Sequence, residues 1–504
     1  MAMAMSYGER FSSLARDQPD LVAMVYAATD GSQTEHTWRE LDRRSDQVAT
    51  LLADRGLRQG RLLAIGLQNS PEHIIAAHAA WKLGATTLPF RADLPDWERS
   101  RLLAVAEPDL VIGAATDADP GNGAGAGSGD ASLVSLAELR ATADGPRGPF
   151  SAGMPRPVHA ITSSGSTGSP KLIISDKPGS FDPDAPVNPM TNAKPGQIQL
   201  VTSPLYHTNG FMCHQRLLAG ARIILMQKFD AARAVALIEQ HQVTQAIMVP
   251  TMLQRIAALP DVSPERLRSL THIFYGGAPL SPVVARQWLD LIGAEHFYFQ
   301  YGGSESIGLT MADGNQWLAH PGTAGLPLNC RVKILDDSLR ELPAGEVGGI
   351  FLKPDAGPPP FRYKGSAPPA FSDDGFSTYG DLGYLDAEGY LYVVDRRVDM
   401  IVSGGANVFP AEVELALSEH PAVADVVVIG LPDPEWGRRV HAVVEFRPAS
   451  AASAEELRAH CKSMLAAYKV PKSFDIVDAM PRTPAGKINR AQLARDTEAQ
   501  VSGR

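Results

Sequence analysis

The feature that most limits the fold of this 504-residue chain is an alternation of short apolar runs with amphipathic helical patterns. The strand-like LLAIGLQ, from Leu62, precedes the helical PEHIIAAHAAWKLG and the strand-like ATTLPF, and the alternation returns between Gly220 and Gly302. A capping-box pattern at Thr37 to Glu40 opens the amphipathic run Leu41 to Leu52. Such alternation is typical of parallel sheets covered by helices on both faces. The sequence therefore predicts an α/β protein with doubly wound sheets.

The pattern changes toward the carboxyl end of the chain. Between about residues 325 and 395, helical patterns give way to short strand-like pieces with Gly and Pro turns, which predicts a small β-rich subdomain. After Arg397 the order helix, strand, strand, helix is long enough for an independent α+β domain. We predict a large amino-terminal domain over residues 1–395, with two doubly wound sheets and the β subdomain, and a smaller α+β domain over residues 396–504.

Two segments predict surface loops. Asp117 to Asp130 contains the pattern G-x-G-x-x-A from Gly121, but no helical pattern opens there, so we predict a flexible loop rather than a dinucleotide site. Ser175 to Gly196 is too rich in Pro to predict a regular element. The sequence does not decide whether this second segment is an ordered crossing loop or a lid.

Charge and cysteine usage limit the partners. Lys and Arg number 46 and Asp and Glu number 56, so the chain is mildly acidic, which argues against nucleic acid or an anionic membrane as the main partner. Cys213, Cys330 and Cys461 form no C-x-x-C pattern, which predicts neither a disulfide framework nor a structural metal. The first residues lack a signal-peptide pattern, and no stretch approaches the roughly 18 apolar residues of a membrane span. We expect a soluble, cytoplasmic protein.

A Ser- and Gly-rich segment, SSGSTGSPK, follows the strand-like VHAIT. Backbone N–H groups and hydroxyls that could surround phosphate oxygens belong to Ser163, Ser164, Gly165, Ser166, Thr167 and Gly168. Lys171 could supply the countercharge. Pro170 and Leu172 stand where a Walker A loop needs Gly and Ser or Thr, which excludes a P-loop NTPase. Taken alone, the segment could also be a solvated turn, although the phosphate loop is the favoured interpretation.

Four motifs occur in a fixed order: this segment, TYGDLGYLD from Thr378, DRRVDMIVSGGANVFPAEVE from Asp395, and PRTPAGKINR from Pro481. Together they resemble the adenylate-forming superfamily of acyl-CoA synthetases, peptide-synthetase adenylation domains and luciferases, along nearly the whole chain. The carboxy-terminal part most resembles acyl-CoA synthetases. The resemblance implies an acid–thiol ligase that uses ATP and Mg²⁺ to form an acyl-adenylate, releases pyrophosphate, and transfers the acyl group to coenzyme A. An amine or a carrier-protein thiol as the acceptor stays open.

The resemblance also implies nucleotide contacts. In YGGSES, Ser304 stands where the family usually has Thr, and Glu305 would hold Mg²⁺ against the triphosphate. Asp381 takes the place of a ribose contact, and Arg396 that of a second ribose or phosphate contact. YGGAPL, from Tyr275, resembles the segment that lines adenine, which implies contacts of Gly276, Gly277 and Ala278 to ATP. Tyr301 and Ser304 are the remaining implied contacts.

Further implied roles concern catalysis and domain movement. His207, in SPLYHTNG, would act as a gate between the carboxylate and the thiol tunnel. Lys487 would reach the substrate carboxylate and the α-phosphate as negative charge develops there. A rotation of the mobile second domain would then replace Lys487 with the loop that holds Ser403, Gly404 and Gly405, which would border the tunnel for coenzyme A. The hinge falls at Val398, where the family usually has Asp or Lys.

The acyl pocket is predicted to be roomy and apolar. Its wall would include Gly302, Gly303 and Gly308, which carry no side chains, and its lining would include Phe211, Met212, Ile307 and His207. The segment ISDKPGSFDP also resembles ligases for polycyclic acids. We therefore expect a bulky apolar acid, polycyclic or aromatic. The sequence leaves open which acid it is and the oligomeric state, with which a homodimer is compatible.

Overall fold

The computed structural model describes residues 4–113, 132–148, 153–163, 171–185, 187, 192–365, 371–396, 399–403, 406–483 and 488–502. Up to residue 113 its elements are β1 (Met5–Ser6), α1 (Tyr7–Asp17), β2 (Val22–Ala27), β3 (Gln33–Thr37), α2 (Trp38–Asp54), β4 (Leu62–Ile65), α3 (Pro71–Lys82), β5 (Thr86–Pro89), α4 (Asp96–Ala106) and β6 (Leu110–Ile112).

The middle of the chain supplies most of the main sheet. Its elements are β7 (Ser132–Val134), α5 (Leu136–Ala141), β8 (Ala160–Ser163), β9 (Lys171–Ser175), β10 (Ser180–Phe181), β11 (Ile198–Val201), α6 (Thr208–Phe211), α7 (Cys213–Leu218), β12 (Arg222–Met226), α8 (Ala231–His241), β13 (Gln245–Met248), α9 (Pro250–Ala257), α10 (Pro264–Leu267), β14 (His272–Tyr275), α11 (Pro282–Ile292), β15 (Phe297–Gly302), β16 (Leu309–Asp313), α12 (Gly314–Ala319) and β17 (Leu326–Pro327).

The remaining elements belong to the β-rich region and the carboxy-terminal region. They are β18 (Cys330–Leu335), β19 (Gly348–Pro354), β20 (Phe361–Lys364), β21 (Ser377–Leu385), β22 (Leu391–Arg396), β23 (Ile401–Ser403), β24 (Ala406–Val408), α13 (Pro410–Ser418), β25 (Val423–Asp433), β26 (Gly437–Phe446), α14 (Ala454–Met464), β27 (Ser473–Val477) and α15 (Arg490–Ser502).

The largest sheet has nine strands in the order β17-β16-β15-β14-β13-β11-β12-β2-β3. Its central strands, from β15 to β2, are parallel, and β3, β16 and β17 pair antiparallel at the edges. The chain leaves β11 toward β12 and leaves β13 in the opposite direction toward β14. Ligands of open α/β sheets bind at such a change of direction, beyond the carboxyl ends of the strands. The predicted α/β fold is confirmed.

A second parallel sheet, β5-β4-β6-β7, packs near the amino-terminal helices. At the start of α2, the Thr37 hydroxyl accepts a hydrogen bond from the Glu40 N–H at 3.2 Å. The Glu40 carboxylate lies 3.6 Å from His36 Nδ1. Of the two hydrogen bonds of the predicted capping box, the one accepted by the Thr37 side chain is therefore formed.

The region of residues 325–395 is built from antiparallel strands, as the loss of helical patterns predicts. β18, β19, β21 and β22 form one sheet, and β20 joins β9 and β8 in another. The pairing of β20 with β9 brings Tyr363 opposite Ile173 and close to Lys171. The division into domains at residue 395 stays a prediction.

The carboxy-terminal region contains more elements than the sequence analysis predicts. The helix α13, the strands β25 and β26, and the helix α14 are present as expected, and the hairpin β23-β24, the strand β27 and the helix α15 are additional. The five residues of β27 are only partly buried or exposed, and its pairing with β26 rather than an apolar pattern defines it. The apolar residues of α15 are too few to mark a helical stripe.

One prediction about the Pro-rich segment is wrong. Within Ser175 to Gly196, the residues of β10 form a short strand that pairs antiparallel with β1, with Met5 opposite Phe181. The Tyr7 N–H also donates to the Gly179 carbonyl at 2.8 Å. The partner strand comes from the far amino-terminal end, so the local Pro content could not reveal it. Asp117 to Asp130 lies outside the described residues.

The three cysteines are buried and carry free thiols. Within the described ranges, no helix is long and apolar enough to cross a membrane.

Candidate active site

The main sheet places the predicted site residues directly after its strands. His207 follows β11, the segment Gly276 to Ala278 follows β14, and Gly303 to Glu305 follows β15. Because carboxyl ends of parallel strands lie on one edge of a sheet, these segments meet on the same side of the domain. β9 and β21 then add Lys171 and Asp381 from the neighbouring small sheets.

Glu305 lies at the tip of a tight turn. The Ser306 N–H donates to the Gly303 carbonyl at 3.0 Å, and Ser306 has φ 53, which a residue other than Gly adopts only when its surroundings hold it there. Tyr379 supplies that restraint. Its hydroxyl donates to the Gly308 carbonyl at 3.0 Å and accepts from the N–H groups of Ile307 at 3.0 Å and Gly308 at 3.2 Å.

Glu305 and Lys171 lie beside each other, as expected for two groups that share a nucleotide. Lys171 Nζ is 3.6 Å from Glu305 Oε1, and the side chains are 22% and 12% exposed, so ligands can reach both. The Tyr363 hydroxyl donates to Glu305 Oε1 at 2.8 Å, and Lys171 Nζ lies 3.7 Å from the centre of the Tyr363 ring. Burial, as the larger effect, and the negative charge of Glu305 both raise the pKa of Tyr363. The hydroxyl therefore keeps its proton and acts as a donor.

The donor set fits a magnesium ion brought in with a nucleotide. Mg²⁺ is commonly held by one or two carboxylates together with substrate phosphates. Glu305 offers a partly exposed carboxylate. The Tyr363 hydroxyl occupies one lone pair of its Oε1 and leaves the other lone pairs of the carboxylate for an ion. Glu305 would therefore hold the ion, while Lys171 is placed to contact a phosphate oxygen.

Asp381 is fixed in a buried position on β21. It is 8% exposed, and the Tyr301 hydroxyl donates to its Oδ2 at 2.9 Å. The rings of Tyr301 and Tyr379 meet edge to face at 5.8 Å. Asp381 is also the register partner of Arg396 on β22, which brings the two predicted ribose contacts onto neighbouring strands. Of Arg396, only the backbone is described.

The segment predicted to line adenine lies on the surface. Gly277 has φ 98, a conformation that favours glycine, and both Gly277 and Ala278 are exposed. The Tyr275 hydroxyl donates to the Ala278 carbonyl, which holds the turn against the end of β14. Gly276 is half-buried, and an added Cβ would lie 3.4 Å from the Gln300 carbonyl oxygen.

His207 stands at the start of α6, at the side of the sheet where the chain changes direction. Its carbonyl accepts the first hydrogen bond of the helix from Phe211 at 2.8 Å, and its ring lies 4.5 Å from that of Tyr206. The next residue, Thr208, shares a 2.6 Å hydrogen bond with the Ser304 hydroxyl. This bond joins the His207 segment to the turn that carries Glu305.

The structure corrects part of the predicted acyl pocket. Ile307 is 1% exposed and packs with Ile173 and Cys330 in the core of the β-rich region. A Cβ added to Gly308 would lie 2.4 Å from Cys330 Sγ, so close packing explains the glycine. Ile307 therefore does not line an open pocket, because its side chain faces this core. The place of Gly308 in the pocket wall stays a prediction.

The other predicted pocket residues keep that assignment as a prediction. Phe211 is 8% exposed and contacts the rings of His159 and His214, while Met212 is half-buried. Gly302 is exposed, and Gly303 approaches the Tyr379 ring so closely that an added Cβ would lie 2.6 Å from it.

Several predicted residues lie outside the described part of the chain. They are Ser164, Gly165, Ser166, Thr167, Gly168, Val398, Gly404, Gly405 and Lys487. Only the backbone of Ser163 is described. Ser403 is 4% exposed at the end of β23.

The carboxy-terminal region also contains a hollow that the sequence did not predict. Its volume is about 260 Å³, and it is lined by Ser403, Trp436, Ala467, Tyr468 and Lys472. Lys472 Nζ lies 4.5 Å from the centre of the Trp436 ring, and Tyr468 is 45% exposed. An aromatic residue beside lysines in the segment AAYKVPK is a sequence signal for part of this hollow. Trp436 lies far from that segment in sequence, so only the fold shows that it lines the hollow.

Similarity to known proteins agrees with this geometry. The family described as AMP-binding enzyme matches residues 11–356, and the AMP-binding enzyme C-terminal domain matches residues 412–487. A feruloyl-CoA synthase from Amycolatopsis is 33% identical over 95% of this chain and 97% of its own. A fatty acid–[acyl-carrier-protein] ligase from Streptomyces coeruleorubidus is 30% identical over 91% of both chains.

A solved structure agrees at the level of the whole chain. The o-succinylbenzoate CoA synthetase from Bacillus subtilis, in complex with its acyl-adenylate intermediate, superposes with a TM-score of 0.79 at 28% identity, over 97% of this chain and 98% of that one. The chain belongs to the adenylate-forming superfamily of AMP-binding enzymes, among its acyl-CoA synthetases.

Proposed function

We propose that the protein is an AMP-forming acyl-CoA synthetase that activates an aromatic or other ring-bearing carboxylic acid. The observation that carries this proposal is that Lys171 lies 3.6 Å from Glu305 beyond the end of β15, while Tyr301 of the same strand holds Asp381, in a chain of the AMP-binding family. A cation, a metal-binding carboxylate and a ribose-binding carboxylate are the groups that a bound Mg–ATP requires.

In the first half-reaction, a carboxylate oxygen of the acid attacks the α-phosphorus of ATP. The bond from that phosphorus to the oxygen bridging to the β-phosphate breaks, and pyrophosphate leaves with the electron pair. Mg²⁺, when bound, neutralises part of the triphosphate charge. Lys171 contacts the phosphates, Asp381 orients the ribose, and Lys487 offsets the charge that develops at the α-phosphorus. The carboxylate is ionised at neutral pH, so it needs no general base.

In the second half-reaction, a thiol sulfur attacks the acyl carbonyl carbon. The bond to the adenylate oxygen breaks, AMP leaves, and the thiol proton passes to solvent. A rotation at Val398 would remove Lys487 from the site and bring the loop of Ser403 toward the acyl-adenylate, past His207. Such movements of lids and domains often limit turnover.

The names of two similar proteins support a ring-bearing acid. One is a feruloyl-CoA synthase, and the other is an o-succinylbenzoate CoA synthetase, both of which take acids that carry an aromatic ring. If acetate or another short acid is converted more efficiently than every ring-bearing acid in a panel, this part of the proposal is wrong.

Coenzyme A is the preferred acceptor because of the hollow beside Ser403. Coenzyme A ends in a 3′-phosphorylated adenosine diphosphate, which carries a flat ring and several phosphate charges. The half-buried Trp436 ring and the exposed Tyr468 ring offer stacking surfaces, and Lys472 offers a cation for a phosphate. A carrier-protein thiol is the second candidate, because one similar protein is a fatty acid–[acyl-carrier-protein] ligase.

Two assays test the proposal. Exchange of radiolabelled pyrophosphate into ATP, dependent on an added aromatic acid, tests adenylate formation. Supplying coenzyme A or pantetheine to enzyme that has formed its adenylate then tests the acceptor. We expect coenzyme A to react at much lower concentration than pantetheine, and Trp436→Ala to reduce that difference. Equal use of both thiols would favour the carrier-protein candidate.

A further inference from the structure

Tyr363 contacts both of the charged groups assigned to the nucleotide. It lies on β20, directly opposite Ile173 of β9, and Lys171 is two residues before Ile173 on the same strand. Residues two apart on a strand share a face, so Tyr363 and Lys171 are diagonal neighbours. The hydroxyl of this tyrosine reaches Glu305, which comes from the turn after β15.

The distances show how the tyrosine divides the two charges. The Tyr363 hydroxyl is 2.8 Å from Glu305 Oε1, which is hydrogen-bond distance, whereas Lys171 Nζ is 3.6 Å from the same oxygen. A lysine that donates directly to a carboxylate lies at about 2.7–2.9 Å. Lys171 lies instead over the Tyr363 ring, with its ammonium 3.7 Å from the ring centre, where a cation is attracted to the aromatic face.

This arrangement matters for ligand binding. A closed Lys171–Glu305 ion pair would have to break before the lysine could contact a phosphate and the carboxylate could contact a metal ion. Breaking a charge-assisted hydrogen bond in a partly buried site costs binding free energy. A hydroxyl that occupies the carboxylate oxygen and a ring that holds the ammonium avoid that cost.

We propose that Tyr363 is a positioning residue that keeps Lys171 and Glu305 apart, so that each stays available to one part of Mg–ATP. This inference rests on the proposed function, because it requires that the site binds Mg–ATP. It adds to that function a residue that lies outside the four sequence motifs.

The test is the Mg²⁺ dependence of nucleotide binding, which needs no turnover. Binding of an α,β-methylene analogue of ATP to the full chain is measured by calorimetry at increasing Mg²⁺, without acid or coenzyme A. Tyr363→Phe keeps the ring but removes the hydroxyl. We expect it to raise the Mg²⁺ concentration for half-maximal binding about tenfold, as for the loss of a hydrogen bond to a charged group.

A matched control is available in the same region. The Tyr392 hydroxyl also donates to a carboxylate, Asp386 Oδ2 at 3.3 Å, away from the Glu305 turn. Tyr392→Phe should leave the Mg²⁺ dependence within about twofold of the wild type, which is the range of a small surface change. Thermal unfolding of both variants checks that they are folded.

A second background separates positioning from a structural role. In Lys171→Met no ammonium can close onto Glu305, so Tyr363→Phe should then change the Mg²⁺ dependence by less than about twofold, measured at an analogue concentration raised to restore saturation. An equal factor in both backgrounds, or a Tyr363→Phe variant as close to wild type as Tyr392→Phe, would overturn the inference. Failure of the wild-type protein to bind the analogue at any Mg²⁺ concentration would instead refute the proposed function.

Discussion

Asp381→Asn should weaken nucleotide binding only by removing contacts to the ribose hydroxyls. Asp381 is 8% exposed, and the Tyr301 hydroxyl, at 2.9 Å, holds its Oδ2, so the carboxylate cannot turn away from a ligand. A carboxylate can accept from both ribose hydroxyls, whereas an amide keeps one oxygen and presents a donor in place of the other.

The magnitude follows from the bonds lost. Asparagine loses one charge-assisted hydrogen bond and weakens another, and such bonds contribute about 1.5–3 kcal/mol each. A total loss of about 2–4 kcal/mol corresponds to about 30- to 700-fold weaker binding of AMP or ATP. Because asparagine has nearly the shape of aspartate and can still accept from Tyr301, the fold should survive.

The assay compares two nucleotides. Calorimetry with ATP and with 2′,3′-dideoxy-ATP should show a large preference for ATP in the wild type and a small one in Asp381→Asn. Tyr301→Phe, which removes this one hydrogen bond but keeps the carboxylate, should lie between them. If Asp381→Asn weakens ATP and dideoxy-ATP by the same factor while its thermal unfolding matches the wild type, Asp381 does not contact the ribose.

Three further predictions concern catalysis and stability. Lys487→Ala should slow ATP-driven adenylation about 10²-fold or more. Conversion of a supplied acyl-adenylate with coenzyme A should stay within a few-fold of wild type. Equal loss of both half-reactions would contradict the role assigned to Lys487. Val398→Pro should impair thioester formation and spare adenylation, as measured by product formation and by pyrophosphate exchange; equal loss would place the hinge elsewhere. Burial lowers the pKa of His73 to about 4, of His78 to about 3 and of His159 to about 4, each below the ordinary value of 6.5. Below pH 6.5 the unfolded chain therefore binds more protons than the folded protein. The free energy of unfolding should fall as pH drops from 6.5 to 4, by up to about 1.4 kcal/mol per pH unit for each histidine. A urea midpoint that does not fall between pH 7 and pH 5 would contradict this.

Patterns within short stretches of sequence predicted much of the fold and the motif residues. The alternation of apolar runs and amphipathic helices predicted strands such as β12 to β15, because side-chain periodicity depends on local geometry that a sequence displays directly. The motif order identified the family, and with it Lys171, Glu305 and Asp381. The structure brings the first two within 3.6 Å and buries the third on the neighbouring sheet.

The predictions that failed concern contacts between distant parts of the chain. Ile307 and Gly308 are apolar and small beside the YGGSES motif, which suggested a pocket wall. Cys330, brought next to both residues by β18, shares a core with Ile307 and lies where a side chain at Gly308 would point. Nothing local distinguishes an apolar side chain that lines a pocket from one that packs in a core, because the difference lies in what faces it.

The sequence by itself determined the fold class, the family and the residues of the motifs, since each depends on residue type and spacing along one stretch. Only the tertiary structure decided that Tyr363 lies between Lys171 and Glu305, that β10 pairs with β1, and that Trp436 meets Lys472 beside Ser403. Each of these contacts joins strands or loops whose pairing is decided by the packing of the whole domain. A local pattern carries no record of the partner that long-range pairing will supply.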